Sequence, residues 1–177
     1  MTQTVGIIGA GQMGNGIAHV FSLAGFKVLL NDISLERVDA GLATINGNLS
    51  RQAASQRITE DDRSKALARI HAAPDLFTLA EADLVIEAAT ENESLKGDIL
   101  REVSAILPPE TIIASNTSSI SITRLASVTD RPEKFIGMHF MNPVPIMELV
   151  EIIRGIATSD ETFETVAAIV DKLGKTS

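Results

Sequence analysis

Residues 4–8, 26–30, 84–88, 111–114 and 135–140 are short, nearly continuous apolar runs, the pattern of strands buried on both faces. Between them, apolar positions recur every three or four residues. Met13, Ile17, Val20, Phe21 and Ala24 form one helical stripe, closed by Gly25. Leu35, Val38, Leu42, Ile45 and Leu49 form a second, with Ser34 placed to cap it, although Asn46-Gly47-Asn48 weakens the pattern. Residues 50–70 are polar and helical in part, with Thr59 and Asp62 spaced as a capping box. Asn92 opens a third stripe of Leu95, Ile99, Val103 and Ile106, and Pro108-Pro109 stops it. Asn142-Pro143-Val144-Pro145 breaks the chain before a further strand over 147–153. Thr158 and Glu161 are spaced to cap a last helix carrying Phe163, Val166, Ala167 and Val170, which ends at Gly174. Strands alternating with helices in this way predict an α/β fold with a mostly parallel sheet and helices on both faces.

Composition narrows the function. The chain has 177 residues and is 45% hydrophobic, enough for one domain with a real core and no disordered tract. Its net charge of -8 and its lack of Trp and Tyr argue against a nucleic-acid partner, which needs positive charge and stacking surfaces. It has no cysteine, which excludes disulfides, thiolate catalysis and Cys-type zinc sites, and no metal site is expected. No apolar stretch has the ~20 residues of a membrane helix, and no basic segment precedes the first apolar run. The expected setting is cytoplasmic.

The first strand runs into Gly9-Ala10-Gly11-Gln12-Met13-Gly14, which opens the first helix. In this context each glycine has a mechanical role. Gly9 permits a tight turn, Gly11 admits a pyrophosphate, and Gly14 lets helix and strand pack closely. Asp32 follows at the end of the second strand, eighteen residues beyond Gly14. A carboxylate there accepts hydrogen bonds from a ribose diol and repels a 2′-phosphate, which favours NAD over NADP. Residues 1–177 are thus expected to be one Rossmann-type dinucleotide-binding domain.

Ligands of open parallel sheets bind beyond the carboxyl ends of the strands. That rule gathers Glu91, the run Ser115-Asn116-Thr117-Ser118-Ser119, His139 and Asn142 on the edge that holds Gly9 and Asp32. His139 suits general base work beside a nicotinamide, and a histidine that merely ends a strand is the alternative. A catalytic imidazole needs a carboxylate to orient it. A tight hairpin centred on 142–145 places Glu148 opposite His139, whereas a longer connection places Glu151 there.

The glycine loop, Ser115 to Ser119, and His139-Phe140-Met141-Asn142-Pro143-Val144-Pro145 followed by Leu149-Val150-Glu151 resemble the 3-hydroxyacyl-CoA dehydrogenases. The resemblance runs over essentially the whole chain. It implies NAD-dependent, reversible oxidation of an (S)-3-hydroxyacyl-CoA in fatty acid metabolism, with a short-chain acyl-CoA as substrate. By resemblance, His139 is the acid/base, Glu151 rather than Glu148 its partner, and Ser118 a hydrogen-bond donor near substrate and cofactor. Gly9, Gly11, Gln12, Met13, Gly14, Asp32, Glu91, Lys96, Ser118 and Asn142 match cofactor-contacting positions. The family's second, helical domain supplies a catalytic Asn and most of a homodimer interface, and the sequence stops before it at Ser177. Residues 1–177 are therefore expected to bind NAD with little turnover. A non-catalytic dinucleotide-binding module is the competing reading.

Overall fold

The computed structural model describes all of residues 1–177. Its strands are β1 (Thr4–Ile8), β2 (Lys27–Asn31), β3 (Ile70–Ala73), β4 (Leu84–Glu87), β5 (Ile112–Ser115), β6 (Phe135–Phe140) and β7 (Val150–Arg154). Its α-helices are α1 (Gln12–Leu23), α2 (Leu35–Ala54), α3 (Glu60–Arg69), α4 (Glu93–Ile106), α5 (Ile122–Ser127) and α6 (Asp160–Lys172). The seven strands form one sheet in the order β3-β2-β1-β4-β5-β6-β7. Every pairing is parallel except β6 with β7. The chain starts in the middle, builds outward to β3, then returns to place β4 on the other side of β1. That reversal is the switch point at which such sheets bind dinucleotides.

The strand period of two sorts side chains into two cores, one on each face. Val5, Ile7, Val28, Leu30, Leu84, Ile86, Ile136 and Met138 belong to the larger, with Ile17, Phe21, Ile45, Leu49 and Val166 from α1, α2 and α6. Ile8, Leu29, Val85, Ile113 and Phe135 belong to the smaller, with Leu100, Val103 and Leu125 from α4 and α5. Each such side chain contributes about 1.5–3 kcal/mol by leaving water. Burial of Ile45 and Leu49 also explains why α2 runs unbroken through Gly47, where the glycine penalty is only about 1 kcal/mol.

The expected caps at Ser34, Thr59 and Asn92 are present: the Ser34 hydroxyl accepts from Arg37 N (3.3 Å) and the Asn92 amide from Leu95 N (2.9 Å). Thr59 and Asp62 close a reciprocal capping box at 3.0 and 2.8 Å. The last helix starts one residue later than expected. Its cap is Ser159, which accepts from Thr162 N at 3.1 Å. Thr158 cannot serve because its hydroxyl donates to the Phe135 carbonyl and accepts from Gly155 N, both at 2.8 Å. The strand expected from residue 147 begins at Val150, because residues 143–147 fold into a turn. The amides of Ile146 and Met147 both donate to the Pro143 carbonyl at 3.0 Å, and the Lys175 ammonium binds the carbonyls of Val144 and Met147. Among side chains the sequence did not single out, Arg131 lies buried behind α4. Its guanidinium donates to the carbonyls of Ser104 (2.8 Å), Leu107 (3.0 Å), Thr111 (3.3 Å) and Pro108, which joins the end of α4 to the start of β5.

His19, fully buried on α1, shares its Nε2 with the Gln52 side-chain oxygen at 2.9 Å, while Nδ1 has no partner. Burial pushes its pKa below the usual 6.5; the Gln52 hydrogen bond opposes this, and the charge of Lys175 adds to it. The unfolded chain therefore takes up the proton first. Stability is retained above about pH 6.5 and falls as pH drops through and below it, until the folded imidazole also titrates. His19→Gln is expected to flatten that acid-side decline in thermal melts from about pH 8 to pH 5, whatever it does to Tm at the alkaline end. An unchanged slope assigns the acid loss to other groups.

Candidate functional site

The loop between β1 and α1 sits at the switch point. Gly9 has φ of +104°, and a Cβ there would lie 2.6 Å from the Ala88 carbonyl oxygen. A Cβ on Gly14 would overlap the Gly9 carbonyl oxygen. At Gly11, by contrast, a Cβ would meet only open space. Gly11 is the N-cap of α1 and has no side chain to satisfy the first-turn amides, nor does that turn carry an acid. Helices α2 to α6 are each capped by a side chain. An open, uncapped helix start with aligned N–H groups is suited to an anion.

Asp32 stands just after β2. One carboxylate oxygen accepts from Ala10 N (2.7 Å) and the other from Ile33 N (2.6 Å), so the acid is tied to the glycine loop. The open space at Gly11 and the Asp32 carboxylate fit a dinucleotide: a pyrophosphate over the helix start and a ribose diol at the carboxylate. Gln12 reaches across to Asn142, its amide donating to the Asn142 side-chain oxygen at 3.2 Å. Met13 lies partly buried against the larger core.

On the other side of the switch point, the loops after β4 and β5 are bound together. The Glu91 carboxylate accepts from the Thr117 hydroxyl and from Ser118 N, the latter at 3.3 Å. The Asn116 side-chain oxygen accepts from Phe140 N at 2.9 Å, which ties this loop to the end of β6. Lys96 lies under the loop after β4, only 1% exposed; its ammonium donates to Glu87 (2.6 Å) and to the Ala89 carbonyl (3.2 Å), leaving one N–H. Sequence reasoning missed Glu87, which accepts from the Ser115 hydroxyl. A lone acid at the end of the apolar run Leu84-Val85-Ile86 was the available signal.

His139 on β6 is paired in register with Glu151 on β7. Residues directly opposite in an antiparallel pair place their side chains on the same face. The His139 Nδ1 lies 3.7 Å from a Glu151 carboxylate oxygen, with His139 partly buried and Glu151 exposed. The tight-hairpin count that favoured Glu148 is corrected: the connection is the nine residues 141–149, and Glu148 falls outside the ladder. The Glu148 carbonyl instead accepts from Thr176 N at 2.9 Å. Glycine loop, Asp32, Glu91, Ser118, His139 and Asn142 thus lie along one sheet edge. No helix is long and apolar enough to cross a membrane.

Residues 4–177 match the family described as 3-hydroxyacyl-CoA dehydrogenase, NAD binding domain. The chain is 64% identical over 171 residues to a 3-hydroxybutyryl-CoA dehydrogenase of Bradyrhizobium diazoefficiens, covering 97% of this chain and 58% of that protein. It is 50% identical to a probable 3-hydroxybutyryl-CoA dehydrogenase of Deinococcus radiodurans, covering 97% of this chain and 61% of that protein. Among solved structures, it is similar to an (S)-3-hydroxybutyryl-CoA dehydrogenase from Ralstonia eutropha with a TM-score of 0.97 and 51% identity, covering 99% of this chain and 62% of that one. The chain therefore spans about three-fifths of the length of these relatives.

Proposed function

The chain belongs to the 3-hydroxyacyl-CoA dehydrogenase family, matching its NAD-binding domain, and from that premise we propose that it serves the reversible oxidation of a short-chain (S)-3-hydroxyacyl-CoA, 3-hydroxybutyryl-CoA foremost. The observation that carries this reading is the His139–Glu151 pair, set on the same sheet edge as the glycine loop and Asp32. NAD, when bound, supplies the hydride acceptor. Gly11 and the start of α1 bind the pyrophosphate, and Asp32 binds the adenosine ribose. Gln12, Met13, Glu91, Lys96, Ser118 and Asn142 complete the cofactor contacts. His139 takes the substrate hydroxyl proton at Nε2, the nitrogen that Glu151 leaves free. Glu151, beside Nδ1, orients the ring and balances its positive charge when protonated. Ser118 donates to the reacting oxygen. In the reverse direction His139 returns the proton. A protein of the relatives' full length acts, on this reading, as a homodimer in cytoplasmic fatty acid metabolism, with acyl-CoA as its partner.

Two measurements test this reading. Asp32 repels a 2′-phosphate and loses its ribose hydrogen bonds to one, so calorimetry on residues 1–177 is expected to show NADPH binding at least about tenfold more weakly than NADH. NADPH binding as tight as NADH overturns the cofactor assignment. Residues 1–177 alone are expected to reduce acetoacetyl-CoA at least about 10²-fold more slowly than a protein of the relatives' full length. Glu151 is half exposed and His139 reaches water in this domain, so the substrate would be held in line from one side only. Turnover matching the full-length protein would show that this domain carries a complete active site.

A further inference from the structure

The mechanism above leaves a buried carboxylate without a task. Glu87, at the end of β4, has no exposed surface. Its carboxylate accepts three hydrogen bonds, each from a different segment. Ala89 N, in the loop after β4, donates at 2.8 Å. The Lys96 ammonium on α4 donates at 2.6 Å. The Ser115 hydroxyl, ending β5, donates at 2.7 Å to the other oxygen. Ser115 in turn accepts from Thr117 N at 3.3 Å. A buried ion pair of this kind adds little net stability, because desolvation offsets its attraction, and an apolar pair of similar volume serves a core as well. What Glu87 adds is geometry: it ties the loop of residues 88–91 to the loop of residues 116–119 at their base.

Those loops meet again at their tips, where Glu91 binds the Thr117 hydroxyl and Ser118 N. The tip contacts are partly exposed, whereas the base contacts of Glu87 with Lys96 and Ser115 are buried. Ala88 also forms the floor under Gly9, so the tie reaches the glycine loop. In a switch-point sheet, the half carrying Asp32 takes the adenosine side, and β4 and β5 face the nicotinamide side.

Resting on the cofactor reading above, we propose that Glu87, braced by Lys96 and acting through Ala89 and Ser115, is a positioning residue that sets Glu91 and Ser118 for the nicotinamide half of the dinucleotide. It does not itself touch the ligand. A merely structural residue would weaken all ligands of the folded domain alike, or none. Glu87 should affect one half only.

The test compares NADH with AMP by calorimetry on residues 1–177, with NADH fluorescence as a report on the nicotinamide environment. Glu87→Gln is expected to raise the Kd of NADH about tenfold or more and to reduce the fluorescence change, with the Kd of AMP within about twofold of wild type. Since Glu87→Gln leaves the Lys96 ammonium without its counter-charge and can fail to fold, Ser115→Ala is the second variant. It removes one base contact and leaves the ion pair whole, and it is expected to show the same selective loss at about threefold or more. Ile113→Ala, a core deletion on the same strand, is expected to lower Tm without separating the two ligands. Equal weakening of NADH and AMP, or an unchanged NADH affinity in Ser115→Ala, overturns the proposal while leaving the cofactor reading intact. A wild-type chain that binds neither ligand overturns both.

Discussion

Gly14→Ala is expected to raise the Kd of NADH by at least about 100-fold and to lower the melting temperature of residues 1–177. The added methyl would overlap the Gly9 carbonyl oxygen. Both partners are backbone, so no rotamer change relieves the clash. Either α1 slides away from the sheet or the glycine loop shifts, and in both cases the helix start leaves its place over the switch point. Overpacking of this kind costs about 1–3 kcal/mol or more. Gly11→Ala is the informative contrast. Its methyl would enter open space, so the fold should keep its Tm while the space over the helix start is narrowed and NADH binding weakens. Calorimetry and thermal melts on the two variants check the pair. Unimpaired NADH binding by a folded Gly14→Ala protein would remove the glycine loop from the cofactor site.

His139→Ala, in a protein of the relatives' full length, is expected to lower kcat for acetoacetyl-CoA reduction by about 10²–10⁴-fold, the usual worth of a general acid/base. The affinity for NADH should change little, because in the proposed mechanism the imidazole acts on the substrate proton rather than on the cofactor. Glu151→Gln should lower kcat by about tenfold or more, since in the proposed mechanism it removes the carboxylate beside Nδ1 that orients the ring. Glu148→Gln should stay within about twofold, because Glu148 lies outside the ladder that pairs β6 with β7. Steady-state kinetics on the three variants decide the matter. A larger defect in Glu148→Gln than in Glu151→Gln would show that the segment rearranges around His139 in the working enzyme.

Much of this architecture was legible in the sequence because local and tertiary signals agree. The runs at 4–8 and 135–140 coincide with β1 and β6, and Ser34, Thr59 and Asn92 cap the helices they were expected to open. What escaped lacks a local period. Strand β3 is four residues, Ile-His-Ala-Ala, and its pairing with β2 comes from the tertiary fold rather than its own pattern. The six-residue α5 is too short to display a stripe. Among candidate site residues, the placement of the glycine loop, Asp32, Glu91, Ser118 and His139 on one edge followed from strand–helix alternation alone. The choice between Glu148 and Glu151 did not, since strand register depends on how many residues the connection consumes. The turn at 143–147, clasped by Lys175 from beyond α6, consumes more than a tight hairpin does. Glu87 is the instructive omission. Its Ser115 partner lies 28 residues away on the next strand, and its spacing to Lys96 follows no helical or strand period.

The antiparallel ladder of β6 and β7 separates two duties that a loop-borne dyad would entangle. His139 faces Glu151 because five rungs of backbone pairing, from Ile136 with Arg154 to Phe140 with Val150, hold the two strands in step. The rim between them, where Ile146, Met147 and Leu149 stand exposed, takes no part in those rungs. On the proposed mechanism, exchanges at residues 146–149, or a rim lengthened by a residue or two, are expected to leave the facing of His139 and Glu151 in place, because the rim lies outside the rungs. Variation in the proposed acyl substrate would then fall on the rim and leave the ladder unchanged.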